Sequence, residues 1–374
     1  MDKGNWTYRK LGEICEVQNG LWTGKKPPFV KVGVIRNTNF TKDCTLDDSD
    51  IFFTDVEEKA YKKRKLLKGD IIIEKSGGSE KQPVGRPILF DLDGEYSFSN
   101  FTSVLRLNTN ELTPSFLHKV LVGLYFQGKT RPLQSKTTGI HNLDFNKFLQ
   151  FSIPVPPLPI QQRIVAELDC ISGILEKKRQ QLKELDNLAQ AIFYDMFGDP
   201  VENEKGWEVK KLGEVCLLKA GKAIKANELL LQNNNTYPCY GGNGIRGYLN
   251  RFSHTESCPI IGRQGALCGN VNYAEAPFYA TEHAVVASPI IKMNSRWLYY
   301  ELVAMKLNQY AHGVAQPGLA VQDIEPLLIP LPPLSLQQSF AAKIEAIEKQ
   351  KERISQSIKE VQTLFDSRME VYFG

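Results

Sequence analysis

No stretch of this 374-residue chain approaches the roughly 20 consecutive apolar residues that a membrane helix needs. Its opening, MDKGNWTYRK, has no apolar signal core, so a cytoplasmic protein is the expectation. The seven cysteines (Cys15, Cys44, Cys170, Cys216, Cys239, Cys258, Cys268) are odd in number and scattered, and no pair stands as Cys-x-x-Cys. That excludes a disulfide framework, and His254 with Cys258 and Cys268 fits no zinc spacing.

Catalytic motifs are missing too. A phosphate loop needs G-x-x-x-x-G-K-S/T; GLWTGKK from Gly20 is one residue short and lacks the hydroxyl. Lys26-Pro27-Pro28-Phe29 lacks the polar residue that opens the Asn/Asp-Pro-Pro-Tyr/Phe loop of an adenine methyltransferase. A metal nuclease wants Glu-x-Lys on a strand, whereas Glu74 and Lys75 are adjacent and face opposite ways. No metal and no cofactor of its own is therefore expected in this chain.

What is there is a repeat. IPVPPLPIQQRIVAELD from Ile153 returns as IPLPPLSLQQSFAAKIE from Ile329, and WTYRKLGEICEVQNG from Trp6 returns as WEVKKLGEVCLLKAG from Trp207. Each half reads Trp…Leu-Gly-Glu, a long middle, Ile-Pro-x-Pro-Pro, then a helical pattern. The middles share only echoes. GDIIIEKSG from Gly69 matches CPIIGRQGA from Cys258, with Arg263 for Lys75 and Gly265 for Gly77. FSNFTSVLRL from Phe98 matches YATEHAVVAS from Tyr279. A fixed frame with altered contents implies two domains of one fold that recognise different things.

After each Gln-Gln, apolar residues recur in alternating steps of four and three. The first seam is Ile164, Leu168, Ile171, Leu175, Lys178, Leu182, Leu185, Ala189, Ile192, Met196. The second is Phe340, Ile344, Ile347, Lys351, Ile354, Ile358, Val361, Phe365, Arg368, Tyr372. These are heptad seams, so the two helices are expected to pair, antiparallel if the copies are related by a pseudo-two-fold axis. Packing of each helix on its own domain is the alternative. Pro156-Pro157 and Pro332-Pro333 predict a stiff exit from domain to helix. Short strands are expected at Asp70–Glu74, Pro87–Asp91, Val104–Leu107, Ile260–Gly262 and Ala284–Ala287, with helices at Pro114–Gln127 and Arg296–Tyr310.

This order of motifs, together with MFGDPVENEKGWEVKKLGEV between the halves, resembles the DNA specificity subunit of type I restriction-modification systems. The resemblance spans the chain. It implies an α+β protein with two pseudo-two-fold-related target recognition domains separated by two long antiparallel coiled-coil helices. The boundaries are recognition domain 1 at 1–157, a central spacer helix at 158–198, recognition domain 2 at 199–333 and a distal helix at 334–374. It implies a non-catalytic subunit whose domains each read one half of a split double-stranded DNA target. The helices set the gap and dock two adenine methyltransferase subunits. S-adenosylmethionine belongs to those partners, and ATP and Mg to restriction subunits that join them. A self-contained DNA-modifying or DNA-cleaving enzyme is the alternative, and a pure protein-binding scaffold a third reading.

Base readers are polar side chains on loops or helix starts. Domain 1 offers Lys75, Ser76, Ser79, Lys81, Gln82 and Arg86 after the strand DIIIE. It also offers Asn100 and Thr102 before a strand, and Lys136, Thr137 and His141 in KTTGIHN. The run Lys62-Lys63-Arg64-Lys65 reads as a solvated face or a phosphate contact. Domain 2 offers Arg263 and Gln264, the glycine-rich turn with Asn243 and Arg246, then Thr281, Glu282 and His283, and finally His312 and Gln316. The net charge of +4 lies outside the two long helical stretches, which are near neutral. That permits nucleic-acid binding without establishing it.

Overall fold

The computed structural model describes residues 4, 6–20, 26–80, 82–137, 140–265, 267–313 and 317–374, with residues 136 and 137 described by their backbone alone. Lys81 and Gln316 lie outside the described residues, as do the side chains of Lys136 and Thr137. The chain divides into two compact units, Met1–Lys177 with Ile358–Gly374, and Lys178–Ser357.

Unit one opens with β1 (Thr7–Lys10), α1 (Leu11–Ile14) and β2 (Cys15–Asn19). The middle holds β3 (Phe29–Ile35), β4 (Phe52–Glu57), α2 (Glu58–Lys63), β5 (Ile71–Glu74), β6 (Ser76–Gly78), β7 (Pro87–Leu89), β8 (Tyr96–Phe98), β9 (Thr102–Leu107) and α3 (Pro114–Phe126). β10 (Gln134–Thr137), β11 (Ile140–Leu143), α4 (Phe145–Phe148) and β12 (Ser152–Val155) lead into α5 (Leu158–Phe197). Unit two repeats the plan with β13 (Glu208–Lys211), α6 (Leu212–Val215), β14 (Cys216–Ala220), β15 (Tyr237–Gly241), β16 (Gly244–Leu249), β17 (Cys258–Gly262), β18 (Val271–Ala274), β19 (Tyr279–Ala280), β20 (Ala284–Pro289), α7 (Ser295–Ala304), α8 (Val321–Ile324), β21 (Leu328–Leu331) and α9 (Leu334–Phe373).

Two sheets repeat strand for strand. A four-stranded sheet β2-β9-β5-β7 answers β14-β20-β17-β18, and a three-stranded sheet β4-β3-β8 answers β16-β15-β19. The expected strands are present, with ends that differ by at most two residues. The second expected helix is shorter: α7 stops at Ala304, and Leu307–Tyr310 form a separate 3-10 turn. Lys306 adopts φ +50°, which an α-helix cannot continue through, and Gln309 Nε2 donates to the freed Met305 carbonyl at 2.9 Å.

The two parts of each repeat are hydrogen-bonded to one another. β1 pairs antiparallel with β12, Arg9 opposite Ile153, and β13 pairs with β21, Lys210 opposite Ile329. Leu-Gly-Glu then has three separable jobs. Leu11 and Leu212 are fully buried. Gly12 and Gly213 carry their backbone N–H groups onto the carbonyls of Leu149 and Glu325 at 2.9 and 3.0 Å. Glu13 and Glu214 accept from Lys10 N and Lys211 N at 3.2 and 3.1 Å. The glycine that closes the segment is needed for a close approach: a Cβ on Gly20 or Gly221 would fall 1.8 or 2.1 Å from the carbonyl oxygen of Ser99 or Ala280.

The first glutamine of each Gln-Gln is buried. Gln161 Oε1 accepts from Thr113 N at 2.9 Å, and its Nε2 donates to Pro156 O at 2.8 Å and Glu111 O at 2.7 Å. Gln337 Oε1 accepts from Asn294 N at 2.9 Å, and its Nε2 donates to Pro332 O at 2.8 Å. Thr113 and Asn294 are the N-cap residues of α3 and α7. In both units the glutamine therefore ties the root of the long helix to the start of the domain's own helix.

α5 and α9 are unbroken helices of 40 residues, each about 60 Å long. They run antiparallel: Tyr372 donates to Glu167 at 2.6 Å in unit one, while Lys351 meets Asp186 at 2.8 Å and Phe193 packs edge-on against Phe340 in unit two. Both expected packings occur together. Ile164, Leu168, Ile171 and Leu175 join Phe365, Met369 and Tyr372 in the core of unit one, and Ala189, Phe193 and Phe197 join Phe340, Ile344 and Ile347 in that of unit two. Three seam positions are corrected: Phe193 and Phe197 are buried beside the half-buried Ile192 and Met196, and Arg368 lies on the surface, paired with Glu167 at 2.9 Å, with the adjacent Met369 buried in its place. A long cation reaches water more cheaply from beside the seam than from within it.

Beside this aromatic cluster, Glu301 of α7 is 1% exposed, and its Oε1 has no partner among the described residues. Burial, reinforced by Asp199, raises its carboxyl pKa to about 8. The folded state thus binds this proton more tightly than the unfolded chain. Stability is greatest below the ordinary carboxylate range and falls as pH rises from about 4.5 to about 8. Glu301→Gln is expected to raise the thermal midpoint at pH 8 and to leave it nearly unchanged at pH 4. An equal shift at both pH values would contradict a buried ionisation.

Candidate nucleic-acid interface

In unit one, the two polar loops singled out from sequence come together. β6 pairs with β11, Ser76 opposite Asn142 and Gly78 opposite His141, and β11 pairs with β10, Lys136 opposite His141. The turn before β9 closes on the same strand, since Lys75 N and Ser76 N both donate to Phe101 O at 2.9 and 3.0 Å. Lys75 Nζ donates to Asn19 Oδ1 at 3.3 Å, and Arg64 Nε to Asn19 O at 3.1 Å. Partial burial holds the Lys75 ammonium below the ordinary lysine range. Ser79 and Gln82 form an exposed tight turn, with Ser79 N donating to Gln82 O at 2.7 Å.

Unit two builds the same frame. Arg263 N donates to His283 O at 3.2 Å as Lys75 N does to Phe101 O. Leu319 N donates to Arg263 O at 2.9 Å as Leu143 N does to Lys75 O at 2.8 Å. Gln264 and His312 both bridge to Gly318, as Ser76 and Ser135 oppose Asn142. The frame therefore aligns Lys75 with Arg263, Ser76 with Gln264, Ser135 with His312 and Phe101 with His283. Gln264 is exposed between two grooves. One, of about 520 Å³, is lined by Asn243, Ile245, Arg246 and His283, and the other, of about 300 Å³, by Arg263, His312, Gln322 and Asp323. Asn243 Oδ1 accepts from Asn270 Nδ2 at 3.1 Å. His283 Nε2 stands 3.2 Å from Glu282, and the exposed His312 stands 3.5 Å from Asp323.

Three sequence-predicted readers are corrected, because their side chains are interior. Arg86 is 3% exposed, paired with the equally buried Glu74 at 3.1 Å, and donates to the carbonyls of Phe40 and Thr41 at 3.0 and 3.1 Å. Thr102 is fully buried and donates to Ser99 O at 2.8 Å. Thr281 is likewise fully buried. Asn100 is half-buried at the turn itself. In the cationic run, Lys62 and Lys65 pair with Glu58 and Glu95 at 2.7 and 2.8 Å. The side chains that sequence reading passed over are Asn19, Phe101 and Ile245. Phe101 and Ile245 are apolar, and a search for polar readers does not find them. Removing Arg86 would leave the Glu74 carboxylate buried without its cation. Arg86→Ala is expected to destabilise unit one by about 3–5 kcal/mol in denaturant titration. A loss under about 1 kcal/mol would mean that Glu74 is not ionised there.

Residues 3–186 and 204–363 each match the family described as the type I restriction modification DNA specificity domain. The chain belongs to that family and carries its domain twice. It is 38% identical over 220 residues to the type I restriction enzyme EcoprrI specificity subunit of Escherichia coli, covering 55% of each chain. The chain thus spans about half the length of that relative. It is 23% identical to the putative type I restriction enzyme MjaX specificity subunit of Methanocaldococcus jannaschii, over 96% of this chain and 92% of that one. The crystal structure of a type I restriction-modification S subunit from M. genitalium shares the fold, with a TM-score of 0.58 at 16% identity over 98% of this chain and 95% of the other. Among the described residues no helix is long and apolar enough to cross a membrane.

Proposed function

We propose that this chain is the specificity subunit of a type I restriction-modification complex, each unit reading one half of a split double-stranded DNA target. The observation that carries the reading is the repeated frame with exchanged contents. Lys75 N and Arg263 N donate to the carbonyls of Phe101 and His283, and Ser76 and Gln264 stand opposite Asn142 and Gly318. Such a frame fixes where side chains meet a duplex, and the side chains decide which bases they meet. Arg suits guanine and Gln suits adenine as bidentate partners. α5 and α9 act as the ruler between half-sites and, with the ribbons at their roots, dock two adenine methyltransferase subunits. Those partners bring S-adenosylmethionine, restriction subunits bring ATP and Mg, and the assembly works in the cytoplasm. Lys136, Thr137, His141, Ser79, Gln82, Lys81, Asn100, Asn243, Arg246, His312 and Gln316 complete the proposed contact set.

The test is a methylation map. The chain is co-expressed with its cognate adenine methyltransferase, and modified adenines are read across host DNA. A split motif of fixed gap that vanishes without this chain is the expected result. Methylation that persists unchanged without it places specificity elsewhere.

A further inference from the structure

The turn that closes on the cation strand holds different chemistry in the two units. Phe101 is 43% exposed in unit one and belongs to none of the hydrophobic clusters or ring pairs of the described residues. His283, at the same place on the frame, has a side chain 41% exposed. Both are anchored through their carbonyls by the backbone N–H of the cation, Lys75 or Arg263. Both precede a buried residue, Thr102 or Ala284, that opens an interior strand. The fold therefore fixes where these side chains stand without needing what they are. An exposed phenyl ring gains nothing in water, and the backbone beside it belongs to polar residues: Lys75 N and Ser76 N donate to its carbonyl, and Asn100 precedes it. A Cβ on Gly77 would stand 2.9 Å from Asn37 Nδ2 and 4.0 Å from the ring, so glycine backbone and a polar amide lie on this flank.

We propose that this turn position is a base-reading position in both units, Phe101 packing on the 5-methyl group of a thymine and His283 hydrogen-bonding a purine edge. The inference rests on the reading of the units as DNA-recognition domains. Cations on the same strand draw the phosphates close, and in the major groove the thymine methyl is the apolar feature that a phenyl ring can recognise. Imidazole instead offers an N–H donor and a ring-nitrogen acceptor.

The probe is a duplex carrying the split motif found by methylation mapping, with each thymine of the first half-site replaced singly by deoxyuridine, which lacks only the methyl. Wild-type complex is expected to bind about 4-fold more weakly at one such position, the effect of one buried methyl group. Phe101→Ala should weaken binding to the thymine duplex and become indifferent to uridine at that position, with an unchanged thermal midpoint. Phe101→His should shift the preferred base pair there, and His283→Phe should create thymine preference in the other half-site. If Phe101→Ala keeps the full uridine sensitivity at every position, the inference is wrong while the recognition reading stands. If the wild-type complex binds no split target, both fall.

Discussion

Gln264→Ala is expected to relax base discrimination at one position of the half-site read by unit two by about 5- to 150-fold, and to leave the other half-site's identity intact. The range is that of one lost bidentate base contact, about 1–3 kcal/mol. The side chain is exposed and its backbone is held, with Gly318 opposite it and Gly265 N donating to Pro317 O at 3.0 Å. Truncation therefore removes a contact without loosening the frame. Methylation-specificity profiles of the variant settle it, and equal relaxation of both half-sites would mean that the units do not read independently.

A second large effect concerns the gap. The units divide between Lys177 and Lys178 in α5 and between Ser357 and Ile358 in α9. Seven residues inserted at both points keep the heptad phase of both seams and add about 10 Å of helix. The expected outcome is a target whose gap is longer by about three base pairs, at 3.4 Å each. Four residues in α5 alone would break the register with α9, and assembly should fail. A methylation map with an unchanged gap after the paired insertion would remove the ruler from the account.

The duplication and the helical seams were legible because periodicity and repetition survive in a single chain. The union of the two polar loops was only half legible. Lys75 and Arg263 were aligned through their flanking apolar strands. Their hydrogen bonds to residues 101 and 283 shift the next echo by one position, so that Thr281 matches Ser99 and His283 matches Phe101. Arg86 was misread because its partners are distant in sequence: Glu74 lies twelve residues back and the Phe40 carbonyl forty-six. Gln161 and Gln337 stood out as a repeat, yet only the N-caps of α3 and α7 explain them. Phe101 escaped because an exposed phenyl among polar neighbours has no periodic signature.

The discontinuity of unit one has a consequence for the order in which the protein is made. Residues 178–357 form a unit contiguous in sequence, so it can close as soon as it leaves the ribosome. Unit one cannot. Phe365, Met369 and Tyr372 fill its core, and they are translated after the whole of unit two. At about 5–20 residues per second the N-terminal unit waits some 10–40 s without Phe365, Met369 and Tyr372 in its core. A chain released between residues 357 and 365 has all of unit two and a unit one still lacking Phe365, Met369 and Tyr372.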